Sequence, residues 1–168
     1  MWRWLVLAAV ATAALVAVLV VRGHEGGELV AHVRDGDTIE LAGGEVVRLV
    51  QIDTPELAEG ECYAREARAE LRRLLPAGTR VRVVSDDALD RVDRFGRRLA
   101  YVFRGALNVN ETMVARGAAS VWFFEGRQGR YADELLAAAR RAQAARTGLW
   151  GACQGTRLDP LAPVDSRR

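Results

Sequence analysis

Two short acidic motifs and two arginines are the parts of this sequence best suited to chemistry. The first motif is DGDT at residues 35–38, and the second is DTPE at residues 53–56. Arg48 precedes the second motif, and Arg97 lies in a charged segment further along the chain. Hard cations such as calcium prefer carboxylate and carbonyl oxygens as ligands, and guanidinium groups donate paired hydrogen bonds to phosphate oxygens. Together these residue types indicate metal-assisted chemistry on a phosphate ester.

Each motif taken alone also has a purely structural interpretation. Residues 35–37 suit a turn, because glycine tolerates positive φ and aspartate accepts hydrogen bonds from nearby backbone N–H groups. Residues 53–56 suit the start of a helix, where proline is tolerated in the first turn. An arginine on a strand usually faces solvent. Because all four features occur in one small domain, the chemical interpretation is favoured.

The segments around these residues predict a small barrel. Apolar or alternating runs predict strands at 29–33, 39–41, 46–52, 80–84, 98–103 and 118–124. Near-helical apolar spacing predicts helices at 63–75 and 131–146, and a shorter one that ends at 116 and is capped by Asn108 or Asn110. Short strands with one helix inserted after the third suit a closed barrel of the oligonucleotide-binding (OB) type.

The motifs, in their order and spacing, resemble the staphylococcal nuclease (thermonuclease) family over about residues 33–150. The shared pattern is DGDT, then RxxxxDTPE, then DxxGRxLAY, then NE with a glycine six residues after the glutamate. The resemblance implies an α+β fold at residues 28–153: a five-stranded OB-fold barrel with three α-helices, here preceded by one hydrophobic N-terminal helix. It also implies calcium-dependent hydrolysis of phosphodiester bonds in DNA and RNA that leaves 3′-phosphates.

The resemblance assigns roles to the individual site residues. Asp37 and Asp53 match the calcium-binding carboxylates, and Thr54 matches the residue that offers its backbone carbonyl. Arg48 and Arg97 match the two arginines that grip the phosphate. Two acidic carboxylates and a carbonyl leave room in a calcium shell for water and a phosphate oxygen.

Three further polar residues complete the implied site. Glu56 matches the acidic residue near the attacking water, where it either accepts a proton or orients the water. We expect the nearby cations to depress the pKa of Glu56. Asp35 and Thr38 match positions beside the metal ligands.

Two aromatic segments depart from the family pattern. Phe95 stands where the family has a tyrosine, so affinity for a terminal phosphate of the bound nucleotide is expected to be weaker. The run at 122–124, which contains Phe123, replaces a tyrosine-bearing segment. Aromatic rings still stack on bases, so Phe95 and Phe123 are the predicted nucleotide-binding residues.

The N-terminal segment at residues 1–24 predicts export. Residues 4–21 are apolar apart from Thr12, and at 1.5 Å per residue they span about 27 Å, close to a bilayer core. The run ends in VLVV, a poor cleavage site, which favours a retained signal-anchor over a cleaved signal peptide. The first alternative predicts a membrane-anchored protein facing outside the cytoplasm, and the second a secreted one. A buried core helix is the third interpretation.

Two cysteines, Cys62 and Cys153, occur in the chain. In an exported domain they predict one disulfide, and two separate buried thiols are the alternative. Their spacing matches no zinc motif. The segment 154–168 combines glycine, proline and scattered charges, and is expected to be a disordered tail.

Composition gives little support to any one partner. All basic residues are arginine, and 24 of them oppose 22 acidic residues, so net charge does not indicate nucleic-acid binding. DNA and RNA as substrates, calcium as cofactor and a monomeric nuclease domain are therefore expectations from the resemblance. The alternatives are a non-catalytic module that keeps the fold and binds nucleic acid or protein, and a structural envelope protein. The complete set of site residues disfavours the non-catalytic module.

Overall fold

The computed structural model describes residues 27–166 of the 168. The predicted hydrophobic N-terminal helix, with its signal-anchor and signal-peptide interpretations, lies outside these residues. Within the described part, every helix is too short or too polar to cross a membrane.

Five strands form a closed barrel. Strand β1 is Glu28–Val33, β2 is Thr38–Leu41, β3 is Val46–Leu49, β5 is Arg80–Val84 and β6 is Arg98–Arg104. Neighbours pair antiparallel in the order β3-β2-β1-β5-β6, and β3 then pairs in parallel with β6, which closes the sheet on itself. Closure removes exposed strand edges. The predicted five-stranded OB-fold barrel is confirmed.

The remaining elements pack outside or beside the barrel. Short strands β4 (Ile52–Asp53) and β8 (Ser120–Val121) pair with each other, and β7 (Leu107–Asn108) pairs antiparallel with the end of β6. The helices are α1 (Ala64–Leu74), α2 (Val109–Ala115), α3 (Ala132–Ala144) and the single-turn α4 (Leu149–Ala152). The first three are the helices that the sequence pattern predicts.

Helix α2 is tied to the barrel by two asparagines with different functions. The Asn108 side chain accepts a hydrogen bond from the Glu111 N–H and so caps the helix. Asn110 is fully buried, accepts from the Val102 N–H and donates to the Val50 carbonyl. These bonds pair backbone groups that would otherwise be costly to bury.

The third predicted strand, 46–52, is interrupted at Gln51. Its φ of 64° lies in the left-handed region, so the backbone turns after β3 and restarts as β4. The Gln51 side chain holds this conformation: it accepts from the Tyr101 hydroxyl and the Gly129 N–H, and donates to the Arg127 carbonyl. After the turn, β4 pairs with β8, and Asp53 contacts Arg48 of β3.

The strand predicted at 118–124 and the tail predicted to be disordered both differ from the structure. Only Ser120–Val121 is a strand, and a 3₁₀ turn occupies Phe124–Gly126. Residues 154–166 lie against the domain, where Val164 and Ser166 are buried and the Phe123 N–H donates to the Pro160 carbonyl at 2.7 Å. These long-range backbone contacts leave no trace in composition.

The predicted disulfide is present. Cys62, just before α1, is bonded to Cys153, just after α4, with their Cα atoms 5.8 Å apart. The bridge joins positions 91 residues apart. It therefore ties the start of α1 to the end of α4.

Candidate active site

The two acidic motifs meet because Gly36 packs against Thr54. A Cβ atom at position 36 would lie 2.6 Å from Thr54 Oγ1 and 2.8 Å from its Cβ, far inside van der Waals contact. Only glycine fits this approach without displacing its neighbour. The loop between β1 and β2 therefore places Asp37 beside Asp53, which precedes Thr54 in the chain.

Arg48 lies between the two aspartates. Its Nη2 atom is 2.6 Å from Asp53 Oδ1 and 3.0 Å from Asp37 Oδ2, and its Nη1 atom donates to the carbonyls of Leu49 and Ile52. Arg48 is 8% exposed, Asp37 5% and Asp53 7%. The two acidic side chains and the one basic side chain therefore form a buried cluster that is linked by ion pairs.

The position of Arg48 follows from strand register. On β3 it pairs with Thr38 of β2 on one side and with Leu99 of β6 on the other. It therefore stands at the seam where the barrel closes, next to the strand that Arg97 precedes. Barrel closure brings together two arginines that are distant in sequence.

Asp93 orients Arg97. The Oδ1 atom of Asp93 accepts from the Arg97 and Phe95 N–H groups, both at 2.9 Å, and its Oδ2 accepts from Arg97 Nε at 2.6 Å. Gly96 adopts a φ of 78° within this turn. Arg97 Nη1 then reaches Thr38 Oγ1 at 3.5 Å, and Thr38 donates to Asp37 Oδ1 at 3.0 Å. Arg97 is thus connected to the aspartates through one hydroxyl.

Glu56 is exposed at the end of the second motif. Its backbone N–H donates to the buried side chain of Glu61 at 2.7 Å, and the Glu61 N–H donates back to the Glu56 carbonyl at 3.2 Å. This reciprocal pair shapes the loop that carries Glu56. Glu61 is therefore a supporting residue of the site.

Three acidic residues of the site, Glu56, Asp53 and Asp35, lie in an environment that opposes their ionisation. Glu56 reaches solvent, but partial desolvation beside the buried aspartates, followed by the charges of Asp37 and Asp35, raises its pKa. Desolvation and the neighbouring carboxylates outweigh Arg48, so the expected depression of the Glu56 pKa is not found among the protein's own groups. Burial also raises the pKa of Asp53 to about 7, against the effect of Arg48, and raises that of Asp35, with Asp37 contributing.

Arg48 stays charged in this setting. Burial alone would lower its pKa, but the charges of Asp37 and Asp53 outweigh burial and raise it. Arg48 in turn favours the ionised form of the two carboxylates, and a bound cation would do the same.

The side-chain oxygen atoms at this site are of the chemical type that calcium prefers as ligands. The carboxylates of Asp37 and Asp53 offer hard oxygen donors. Asp37 Oδ2 is buried and accepts no aligned hydrogen bond from the described residues, although Arg48 lies 3.0 Å away. Among the described residues, no group of three or more His, Cys, Asp or Glu side chains is arranged to hold a metal ion. Arg48 lies between Asp37 and Asp53. A cation would share the carboxylates with this arginine, and waters would complete its shell.

An open cavity of about 380 Å³ adjoins the two arginines. Trp122, Phe124 and Phe95 contribute to its walls, and the last two are 55% and 68% exposed. The Arg48 guanidinium lies 5.5 Å from the centre of the Trp122 ring, and that of Arg97 lies 5.4 Å from the centre of the Phe95 ring. These distances are within the range of cation–π attraction.

Phe123 takes no part in this cavity. Its side chain is 1% exposed and belongs to the core, so its prediction as a nucleotide-binding residue is corrected. Its neighbours on either side, Trp122 and Phe124, line the cavity instead. Phe95 lines the cavity, and its role in stacking on a base stays a prediction.

Sequence reasoning named the polar site residues but missed several supporting ones. Asp93 and Glu61 act on the backbone of Arg97 and Glu56, and Trp122 lies beside Arg48. The signal for Asp93 was its place at the head of a turn that ends at Arg97, since aspartate commonly accepts from N–H groups two to four residues further on. Sequence alone gave no signal for Glu61.

The fold and site together define a class of protein: an OB-fold barrel whose closure seam carries buried carboxylates and arginines beside an aromatic cavity. Comparison with known proteins identifies the family. The chain belongs to the staphylococcal nuclease family, since the model described as "Staphylococcal nuclease homologue" matches residues 46–152.

Individual relatives agree with this assignment. An uncharacterized protein of Bacillus anthracis is 32% identical over 128 residues, which are 72% of this chain and 59% of the relative. The SPbeta prophage-derived endonuclease YokF of Bacillus subtilis is 32% identical over 123 residues, 69% of this chain and 41% of YokF. The thermonuclease of Staphylococcus hyicus is 30% identical over 128 residues, 72% of this chain and 73% of that protein. The chain thus spans about half the length of the first two relatives.

Proposed function

We propose that this chain is a calcium-dependent nuclease that hydrolyses phosphodiester bonds in DNA and RNA and leaves 3′-phosphates. The observation that carries the proposal is the continuous polar contact from Arg97 through Thr38, Asp37 and Arg48 to Asp53. It unites cation ligands and phosphate-binding groups at one point. Relatives named endonuclease and thermonuclease support the same reaction class.

Each residue of this proposed site has a distinct chemical task. Asp37, Asp53 and the Thr54 carbonyl would hold calcium, which when bound supplies positive charge to a phosphate oxygen and to a water. Arg48 and Arg97 bind the remaining phosphate oxygens and offset the negative charge that grows in the transition state.

Glu56 is the residue suited to receive or direct the water proton. Its raised pKa makes it a better base than an ordinary glutamate, because base strength rises with the pKa of the conjugate acid. Its exposure at the loop end leaves it accessible to a water on the open side of the site. We assign it the role of general base.

The cavity beside Arg48 and Arg97 is where a nucleotide base would lie. Trp122 and Phe95 offer ring faces for stacking, which contributes about 1–3 kcal/mol per base in single-strand binding. Stacking is tolerant of base identity, which is consistent with action on both DNA and RNA. We therefore propose that the base of the bound nucleotide lies in this cavity and stacks on one of these rings.

We further propose that the domain is exported and acts as a monomer. The disulfide between Cys62 and Cys153 supports export, because such bonds persist in oxidising compartments. The apolar run at residues 4–21 supports a retained anchor that holds the domain outside the cytoplasm.

The test is cleavage of fluorescent single- and double-stranded oligonucleotides with calcium and with EGTA. We expect product only with calcium. Arg97→Ala and Glu56→Gln should lower the rate by about 10²-fold or more, while Arg140→Ala, on the exposed side of α3, should leave it unchanged. Saturable binding without product would favour the non-catalytic module instead. Equal rates in EGTA would exclude calcium dependence.

A further inference from the structure

The chain beyond the disulfide is fastened at both ends to the same residue. Cys153 is covalently bonded to Cys62. Thirteen residues later, Ser166 Oγ donates to the Cys62 carbonyl at 3.0 Å, and the Cys62 N–H donates to the Ser166 carbonyl at 3.4 Å. Midway, the Phe123 N–H donates to the Pro160 carbonyl. Residues 154–166, which we term the return segment, are therefore a closed loop over one end of the site.

The return segment contacts the site directly at one atom. The Val164 N–H donates to Asp53 Oδ2 at 2.9 Å. Val164 is 8% exposed and Asp53 7%, so water is largely excluded from this bond. A hydrogen bond shielded from water in this way is electrostatically stronger than the same bond in water.

Asp53 is consequently held at both oxygens. Oδ1 accepts from Arg48 at 2.6 Å while Oδ2 accepts from Val164. A carboxylate with a fixed donor on each oxygen is restrained from rotating about its terminal bond, so its remaining lone pairs keep one direction. Each carboxylate oxygen has two acceptor sites, which leaves capacity for a cation.

We propose that Val164 is a positioning residue for Asp53, and that its backbone N–H fixes this carboxylate in the orientation that binds a divalent cation. The inference rests on the proposed function, in which Asp53 is a calcium ligand. Groups that hydrogen-bond to a metal ligand from behind typically contribute about 10–100-fold to metal affinity. The return segment is then part of the site, although it lies outside every motif.

The test is calcium affinity of the full-length chain, measured by isothermal titration calorimetry without substrate. Val164→Pro removes the N–H donor, whereas Val164→Ala keeps it and shortens the side chain. We expect Val164→Pro to raise the calcium Kd about tenfold or more, and Val164→Ala to stay within about twofold of wild type. Thermal unfolding in EGTA shows that each variant is folded before titration.

The outcomes separate this inference from the proposed function. If the wild type binds no calcium, the proposed calcium dependence fails and the inference fails with it. If the wild type binds calcium and Val164→Pro binds it equally well or more tightly, only the inference is overturned. An equal loss in Val164→Ala would also overturn it, because side-chain packing would then explain the effect.

Amide hydrogen exchange on the wild type gives a second test that needs no variant. Positioning requires the Val164 N–H to stay bonded when the cation is bound, so its exchange should be slow both in EGTA and in saturating calcium. Faster exchange on calcium binding would show that the cation displaces the return segment, and would overturn the proposal.

Discussion

Gly36 lies against Thr54 so closely that any side chain at position 36 would collide with the threonine hydroxyl, at 2.6 Å. Asp37 follows the glycine and Asp53 precedes the threonine, so this contact sets the separation of the two proposed calcium ligands. The glycine in the first acidic motif is therefore explained by packing, since its φ is not in the left-handed region.

Gly36→Ala should damage both stability and cation binding. The new methyl group forces Thr54 or the loop to move, and overpacking of this kind costs about 1–3 kcal/mol. We expect a lower free energy of unfolding in urea and a calcium Kd raised several-fold. Gly43→Ala is the matched control, because that position has open space and no positive φ. Equal effects in the two variants would contradict the packing argument.

Asp93→Ala should impair turnover through Arg97. The aspartate accepts from the Arg97 N–H and Nε. Without these bonds the guanidinium is no longer held pointing towards Thr38. We expect kcat to fall about 10–100-fold, or about 1.4–2.8 kcal/mol in the barrier.

Asp87→Ala serves as the control for that substitution. Asp87 also pairs with an arginine four residues away, Arg91, but its side chain is 84% exposed. Surface pairs of this kind contribute little, so its kcat should match wild type. A wild-type kcat for Asp93→Ala would show that Arg97 needs no such support.

Replacing both cysteines with serine should lower stability strongly. The bridge closes a loop across 91 positions, for which the chain-entropy model gives about 4–5 kcal/mol before native strain. We expect the double variant to unfold at a markedly lower temperature in calorimetry. The wild type with reductant should behave like the variant, and an unchanged Tm under reduction would refute the prediction.

The polar site was readable from sequence because its residue types are chemically specific. Each motif alone also suits a structural role, but the four motifs in this order and spacing resemble one family. The aromatic wall was not readable to the same degree. Trp122 and Phe123 lie just beyond the two-residue strand Ser120–Val121, and so short a strand shows no periodicity from which their directions could be predicted.

The return segment escaped prediction for a different reason. Its contact with the site is a backbone N–H at Val164 bonded to a carboxylate 111 residues earlier. Any residue other than proline offers such a donor, so neither composition nor motif marks it. Gln51 is similar: its left-handed conformation breaks the predicted third strand, and only the surrounding hydrogen bonds explain it.

Asp86 should make stability depend on pH in the acid range. Burial favours its neutral form, but hydrogen bonds from the Arg130 and Ala88 N–H groups and the Arg130 side chain outweigh burial and hold its pKa below the ordinary value. A depressed pKa means that the unfolded chain binds a proton more readily than the folded one. This contribution is therefore present above the unfolded pKa, about 3.9, and is lost as pH falls through the lower folded value.

Asp86→Asn removes the charge but keeps the shape of the side chain. We expect it to lower the free energy of unfolding at pH 7 by about 1–3 kcal/mol, since the charged hydrogen bonds are lost, and to flatten the decline below pH 4. Urea unfolding at pH 7 and pH 3 measures both effects. Asp87→Asn, one residue on and exposed, should retain the wild-type decline. If Asp86→Asn shows the same loss of stability at both pH values, ionisation of Asp86 is not the source, and the substitution acts through packing alone.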